Sequence, residues 1–264
     1  MSSIETLYIP TLGRSDNQIT YSNIPDSWKS KVIFVIQESE ANFEFFKNKN
    51  TLVTPNSIGI AKTREIIAKH ASKIKFGVLD DDLSFLSRIN KISKIDDSSF
   101  DAMMTIFSSW LDESDVICCG MSPTWSPPLA KDFTDCTTLL CNCFLDGRKF
   151  SLETLDWTSI PISEDIHILM QLLSLGYKNR VSYLYSFDSG KLQMAGGCSS
   201  YRTLDLHNSS LLQLKKKYPK YIKLSKSFFK SGGFKNQSVL KSTYYFNKLY
   251  KDSFSKIKNY KFFN

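Results

Sequence analysis

The sequence has no stretch approaching 18 consecutive apolar residues, so no membrane-spanning helix is expected. Its opening, MSSIETLYIP, has neither a basic region nor an apolar run of the secretory kind. No signal peptide is therefore expected, and the cytoplasm is the expected place of action. The six cysteines (Cys118, Cys119, Cys136, Cys141, Cys143 and Cys198) form no C-x-x-C pair. The three histidines, His70, His167 and His207, are not near them in sequence, which argues against a Cys/His zinc site. The thiols read as reduced and mostly buried. GKS and GKT are absent, which disfavours a P-loop NTPase, and so is G-x-G-x-x-G, which disfavours a dinucleotide enzyme. No internal repeat or low-complexity linker interrupts the 264 residues, and 42% hydrophobic content supports one sizeable α/β domain with an appendage.

Another absence is local. Residues 213–264 have no arginine and one acidic residue, Asp252, against fourteen lysines. This segment carries +13, and because the whole chain carries +8, residues 1–212 carry −5. Thirteen Phe and Tyr residues are spread among the lysines. Lysines suit phosphates and rings suit bases, so the segment fits a nucleic-acid surface. A lysine- and aromatic-rich codon bias would explain the residue types but not their segregation. The chain therefore divides into a mildly acidic main domain, 1–212, and a basic, aromatic-rich helical extension, 213–264, packed on or beside it.

Unbroken apolar runs mark buried strands: TLYIP ending at Pro10, KVIFVI, TLVTP and KFGVL. Helices are expected between them, at QESEANFEFFKN and at NSIGIAKTREIIAKHASK. The second places Ile60, Thr63, Ile66, Ile67 and His70 on one face, with Asn56 or Ser57 as its start. Farther on, SSFDAMMTIFSSWLDES reads as a helix, while VICCG, TTLLCNCFLD and VSYLYSF read as strands. ISEDIHILMQLLSLGYKNR reads as a helix with Ser163 as N-cap and Gly176 as its end. SPTWSPPLAKDF, with Trp125, is a Pro-rich loop suited to substrate binding. Alternating strands and helices predict an α/β fold with a mixed, mostly parallel sheet flanked by helices.

FGVLDDDLSFL is the least ordinary stretch, because Asp80, Asp81 and Asp82 follow a buried strand directly, without turn residues. Packed carboxylates repel unless something neutralises them. A hard divalent cation, Mg²⁺ or Mn²⁺, is the expected neutraliser, with substrate phosphates completing its shell. Ligands of open α/β sheets sit at the carboxyl ends of strands. There the sequence delivers Arg14, Gln37, the Asn56–Gly59 loop and Arg64, a set suited to a nucleotide diphosphate.

The ordered elements IPTLGR, GIAKTREII, VLDDDL and SEDIHILMQLLSLGY resemble a GT-A (Rossmann-like) glycosyltransferase. They are most similar to the TET-associated glycosyltransferases of phages, which place sugars on hydroxymethylcytosine or extend a sugar already there. The resemblance covers roughly residues 5–220. It implies a metal-dependent transfer from a UDP-sugar, with UDP-glucose as donor, to double-stranded DNA carrying modified cytosine. The enzyme is expected to be a monomer. Carried onto this chain, the resemblance implies that Pro10, Thr11, Gly13 and Arg14 hold base and ribose, with Gln37, Asn56 and Gly59 nearby. Arg64 would contact the diphosphate, Asp80 the ribose or sugar with Asp81 also in the donor site, and Asp82 and His207 the metal. Asp165 would be the general base, and a single base there suggests inversion. The acceptor set would be Trp125, Glu164, Gly196, Gly197, Arg202, Lys215, Lys216 and Lys217. Two alternatives stay open: a glycan, lipid or protein acceptor for the same fold, and a non-catalytic DNA-binding protein.

Overall fold

A computed structural model describes residues 3–127, 131–139, 141–189, 197, 201–228, 234 and 236–262, leaving aside the side chains of 153 and 256–262. The strands are β1 (Thr6–Pro10), β2 (Val32–Gln37), β3 (Thr51–Thr54), β4 (Lys75–Leu79), β5 (Ser84–Ser87), β6 (Ser93–Lys94), β7 (Val116–Pro123), β8 (Phe133–Asp135), β9 (Asn142–Asp146), β10 (Lys178–Asp188), β11 (Ile222–Phe228) and β12 (Ser238–Tyr244). The helices are α1 (Ile19–Asn23), α2 (Asp26–Lys29), α3 (Gly59–His70), α4 (Asp97–Asp112), α5 (Glu164–Ser174), α6 (Leu204–Lys217) and α7 (Phe246–Phe262).

Ten strands form one sheet in the order β3-β2-β1-β4-β9-β7-β10-β5-β6, with β8 also pairing β10. β1, β2, β3 and β4 run parallel. β9 is reversed between β4 and β7, and β10 again runs parallel to β7. The expected mixed sheet, with most strands pointing one way, is present. Its unbroken apolar runs are explained by burial on both faces. Leu7, Ile9, Phe34 and Ile36 join one core cluster, under Phe100, Met103, Met104 and Phe107 of α4. Tyr8, Val35, Phe76 and Val78 join the other, under α3 and α5. Gly77 of β4 has no room for a side chain, since a Cβ would meet the Phe144 ring at 2.8 Å and Leu7 Cδ2 at 2.9 Å.

Two local expectations fail. Residues 38–46 make two short 3₁₀ turns, Glu38–Glu40 and Glu44–Phe46, where a helix was expected. Phe45 and Phe46 both pack against Phe34, at 5.4 Å between centroids. An α-helix would turn consecutive side chains about 100° apart. The extension contains α7 as a helix, but a two-stranded antiparallel hairpin, β11–β12, precedes it. α6 runs continuously through residues 212 and 213. Ile222, Phe246 and Leu249 belong to the same buried cluster as α3 and α5, so the extension packs on the body.

Candidate active site

The carboxyl ends of β1, β2, β3 and β4 lie on one sheet edge, and the reversed β9 starts there. Accordingly, the Asp80 N–H donates to the Cys141 carbonyl at 2.8 Å. From β4 the chain next enters the sheet as β5, beside β10, so residues 80–83 run across this edge. Thr20 of α1 clamps them. Its N–H donates to the Asp81 carbonyl at 3.1 Å, its hydroxyl to the Asp80 carbonyl, and its Oγ1 accepts from Leu83 N–H at 2.8 Å.

The triple aspartate lines a cleft of about 570 Å³, within the usual range for ligand sites. Its negative charge is met by two arginines. Arg14 Nη1 pairs with Asp81 and, at 3.0 Å, with Asp82. Arg64 bridges Asp80 at 3.0 Å and Glu164 at 2.9 Å. Asp81 is fully engaged, its other oxygen accepting from Thr11 Oγ1 at 2.7 Å. Gln18 donates to Thr11 Oγ1 and to the Arg14 carbonyl, both at 2.8 Å, which fixes the first loop.

Burial pushes the Asp80 carboxyl up to about 6, against the opposing pull of Arg64, and Asp82, Asp81 and Asp165 add to the rise. Burial likewise pushes Glu164 up to about 7, partly offset by Arg64 and reinforced by Asp165. Asp82 is also raised, by burial first, with Arg14 opposing. Arg14 is raised: burial opposes its charge, but Asp81 and Asp82 outweigh burial. The guanidinium groups of Arg14, Arg64 and Arg202 and the Lys241 ammonium thus share the cleft with five carboxyl groups.

Of the residues singled out in sequence, the cleft brings together Pro10, Thr11, Arg14, Gln37, Gly59, Arg64, Asp80, Asp81, Asp82, Glu164, Asp165, Gly197, Arg202 and His207. It does not include Gly13, Asn56, Trp125, Lys215, Lys216 or Lys217 among its lining. Gly13 N–H is taken by Glu40 Oε1 at 2.7 Å. Asn56 Oδ1 accepts from Ser39 N–H at 3.0 Å rather than capping α3. Trp125 is 77% exposed. Lys215 donates to the Pro219 and Ile222 carbonyls at 2.6 Å, and Lys217 pairs with Asp156 at 2.9 Å, so both serve the α6 terminus. Gly196 lies outside the described residues. Neither Ser57 nor Ser163 caps its helix; both adopt positive φ, 60° and 67°. The start of α3 is met instead by Tyr201, whose hydroxyl accepts from Ile60 N–H at 3.1 Å. Gly197, at φ +59°, gives its N–H to the Leu12 carbonyl at 2.7 Å, and a Cβ there would lie 3.6 Å from the Arg14 guanidinium.

Sequence reasoning found only Arg202 and His207 of a second wall. Tyr201, Phe234, Ser242 and Tyr244 line the same cleft as the aspartates. His207 of α6 anchors this wall, its Nε2 donating to the Leu240 carbonyl at 3.1 Å. Among the described residues no three His, Cys, Asp or Glu side chains form a ready metal cluster. No described helix is long and apolar enough to cross a membrane.

The model of the TET-associated glycosyltransferase family matches residues 6–197. The chain belongs to that family. It is a glycosyltransferase, and the matched residues carry the aspartate segment, Arg64 and Asp165. Two phage relatives are similar over most of their length. One is the beta-glucosyl-HMC-alpha-glucosyl-transferase of Enterobacteria phage T2, 23% identical over 215 residues and 74% of each chain. The protein of the same name from Enterobacteria phage T6 is 23% identical over 231 residues and 80% of each chain. A solved UDP-glucose pyrophosphorylase complexed with UDP-glucose overlaps 81% of this chain and 99% of its own, at 9% identity and a TM-score of 0.40. That overlap is too loose to bear on the donor.

Proposed function

We propose that this glycosyltransferase moves a sugar from a nucleotide diphosphate, UDP-glucose first among donors, to a cytosine in phage DNA that carries a hydroxymethyl group or a sugar built on one. The observation that carries the reading is one cleft holding both a carboxylate cluster and Asp165, in a chain of this family. The phage relatives, named for transfer to beta-glucosyl-HMC, support the acceptor class. Asp165 suits the base. It is half-buried and faces the cleft, whereas Glu164 beside it is buried and tied to Arg64. It would take the proton of the acceptor hydroxyl as that oxygen attacks the anomeric carbon and the diphosphate departs.

A divalent cation fits the first wall. The side chains of Asp80 and Asp82 keep 33% and 19% exposure, while that of Asp81 keeps 6%. Two carboxylates plus substrate phosphates and water match the habit of Mg²⁺ or Mn²⁺. When bound, the cation would neutralise the leaving diphosphate. His207 would reach it or the diphosphate through Nδ1, because Nε2 is committed to the Leu240 carbonyl. Arg202 lines the same cleft and suits the diphosphate alongside Arg64, whose Nη2 and Nη1 already pair with Asp80 and Glu164. The exposed lysines of the extension, Lys216, Lys220, Lys223 and Lys226, suit DNA phosphates.

The test is incubation with nucleotide sugars, Mn²⁺ and duplex DNA that is plain, hydroxymethylated or glucosylated. Nucleotide diphosphate release should require modified DNA and should stop with EDTA. Release with a glycan or lipid acceptor but with none of the DNAs would replace this reading by the other acceptor class.

A further inference from the structure

The cleft wall of which the sequence revealed only Arg202 and His207 lies beyond residue 197, where the family match ends. Along β12, Leu240, Ser242 and Tyr244 are half-buried, and Thr243 between the last two is exposed. Strand periodicity thus turns Ser242 and Tyr244 to one face, and both line the cleft with Asp165. The strand is held firmly. Leu240 N–H donates to Asn208 Oδ1 at 3.0 Å, its carbonyl accepts from His207, and Tyr245 N–H donates to the Tyr221 carbonyl at 2.9 Å. The Tyr244 ring stacks on Phe246 at 5.2 Å between centroids.

Ser242 Oγ donates to the Tyr244 hydroxyl at 2.6 Å, and Ser242 is the one hydrogen-bond partner of that hydroxyl among the described residues. Whichever hydroxyl donates within the pair, one proton of the two is left for a ligand. Burial pushes the phenol up to about 12, with Ser242 opposing and the charge of Asp165 adding to the rise, so the hydroxyl is a donor at neutral pH and no rival base.

A hydroxymethyl group on a base has a single oxygen. It is the attacking one, and Asp165 serves it. Such an acceptor offers the Ser242–Tyr244 pair no further hydroxyl. A sugar on the base brings further hydroxyls for the pair and C–H edges for the tyrosine ring.

We propose that Ser242 and Tyr244 form the acceptor-specificity site of this enzyme, reading the hydroxyls of a sugar already carried by the acceptor base. The assignment rests on the proposed transfer to modified DNA. A site built to hydrogen-bond a hydroxyl rejects an acceptor lacking it.

The experiment compares kcat/KM on hydroxymethylated and glucosylated duplex DNA for the wild type, Tyr244→Phe, Ser242→Ala and Thr243→Val. The wild type should prefer glucosylated DNA. Tyr244→Phe should cut that preference about tenfold or more, mainly by raising KM for glucosylated DNA, and Ser242→Ala should act in the same direction. Donor affinity by calorimetry should stay the same in both, and Thr243→Val should keep the preference. Ser242→Ala alone decides the matter should Tyr244→Phe fail to fold. A wild type that does not distinguish the two DNAs, or variants that keep its preference, would overturn the assignment while leaving the transfer reading standing. A wild type inactive on every DNA would instead overturn the transfer reading, and this assignment with it.

Discussion

Thr11, Leu12, Arg14, residues 80–82 and residues 164–165 make one wall of the cleft, and Tyr201, His207, Phe234, Ser242 and Tyr244 belong to another, of different make-up. The first is held by ion pairs. Arg14 and Arg64 tie four carboxyl groups together in a half-dry space, with Thr11, Gln18 and Thr20 fixing the backbone. The second is held by apolar contacts and presents rings and hydroxyls. Leu211, Leu214, Ile222 and Phe246 sink into the body's core, while Tyr201, Ser242 and Tyr244 remain at the surface of the cleft. A wall of fixed charges suits a reaction in which charge develops, since it needs no rearrangement at the moment of transfer. Hydroxyls and rings suit reading a neutral acceptor. The family match, residues 6–197, contains the whole first wall, while Ser242 and Tyr244 lie beyond it.

The sharpest way to break this division is at Asp165. Asp165→Asn should lower kcat by about 10²–10⁴-fold, the usual worth of a general base, and leave donor binding by calorimetry nearly unchanged. A parallel loss of donor affinity would place Asp165 in the nucleotide site instead.

Arg64→Met tests whether the first wall depends on paired charge. Removing one partner of a buried pair costs about 3–5 kcal/mol. The loss should depend on pH. Asp80 and Glu164 have folded values raised to about 6 and about 7. The stability tied to their protonated forms is fully present below the unfolded carboxyl range and is lost as pH rises through 6–7. Without Arg64 both should rise further. Chemical denaturation should therefore show a larger loss at pH 8 than at pH 5.5, and equal losses would refute the pairing account.

The seam between body and extension should respond to acid. His167 of α5 packs on Tyr218 at 5.9 Å between ring centroids, and Asp156 nearby pairs with Lys217. Burial lowers His167 from 6.5 to about 4, with Asp156 opposing. The neutral ring's contribution is fully present above pH 6.5 and is lost as pH falls through 4, on the order of 2–3 kcal/mol. His167→Phe should flatten thermal stability across that window; an unchanged acid slope would put the titration elsewhere.

The smallest effect is expected outside the cleft. Changing Lys216, Lys220, Lys223 and Lys226 to Gln should weaken DNA binding about tenfold. It should also reduce the slope of log K against log salt by about 0.9 for each phosphate the variant no longer neutralises. A slope that does not move would remove these lysines from the DNA interface.

Where sequence patterns are local, they were legible. The apolar runs of β1, β2 and β4 and the helical spacing of α4 and α5 each report burial of one segment, and the fold follows them. The aspartates were legible as a site because charge directly after a buried strand needs an explanation. Their partners were read only in part: Arg14 and Arg64, expected beside phosphates, also pair with the carboxylates themselves. Thr20 reaches residues 80–83 and Tyr201 reaches Ile60, pairings that span 60 and 141 positions and leave no periodic trace. The hairpin was hidden for a similar reason. β11 alternates Ile222 and Leu224 with Lys223 and Ser225, but this alternation is short and lysine-rich, and its pairing with β12, sixteen or more positions away for most of its length, leaves no local trace.

The most direct test of the central claim, that one cleft performs sugar transfer to modified DNA with Asp165 as base, is a single-turnover assay. Labelled UDP-glucose, Mn²⁺ and glucosylated hydroxymethylcytosine DNA would be mixed with excess wild-type or Asp165→Asn enzyme, and label in the DNA would be followed over time. The account predicts rapid labelling of the DNA by the wild type and a rate at least about a hundredfold lower for the variant. Equal labelling rates for the two enzymes, or wild-type turnover of the donor with no label entering the DNA, would contradict it.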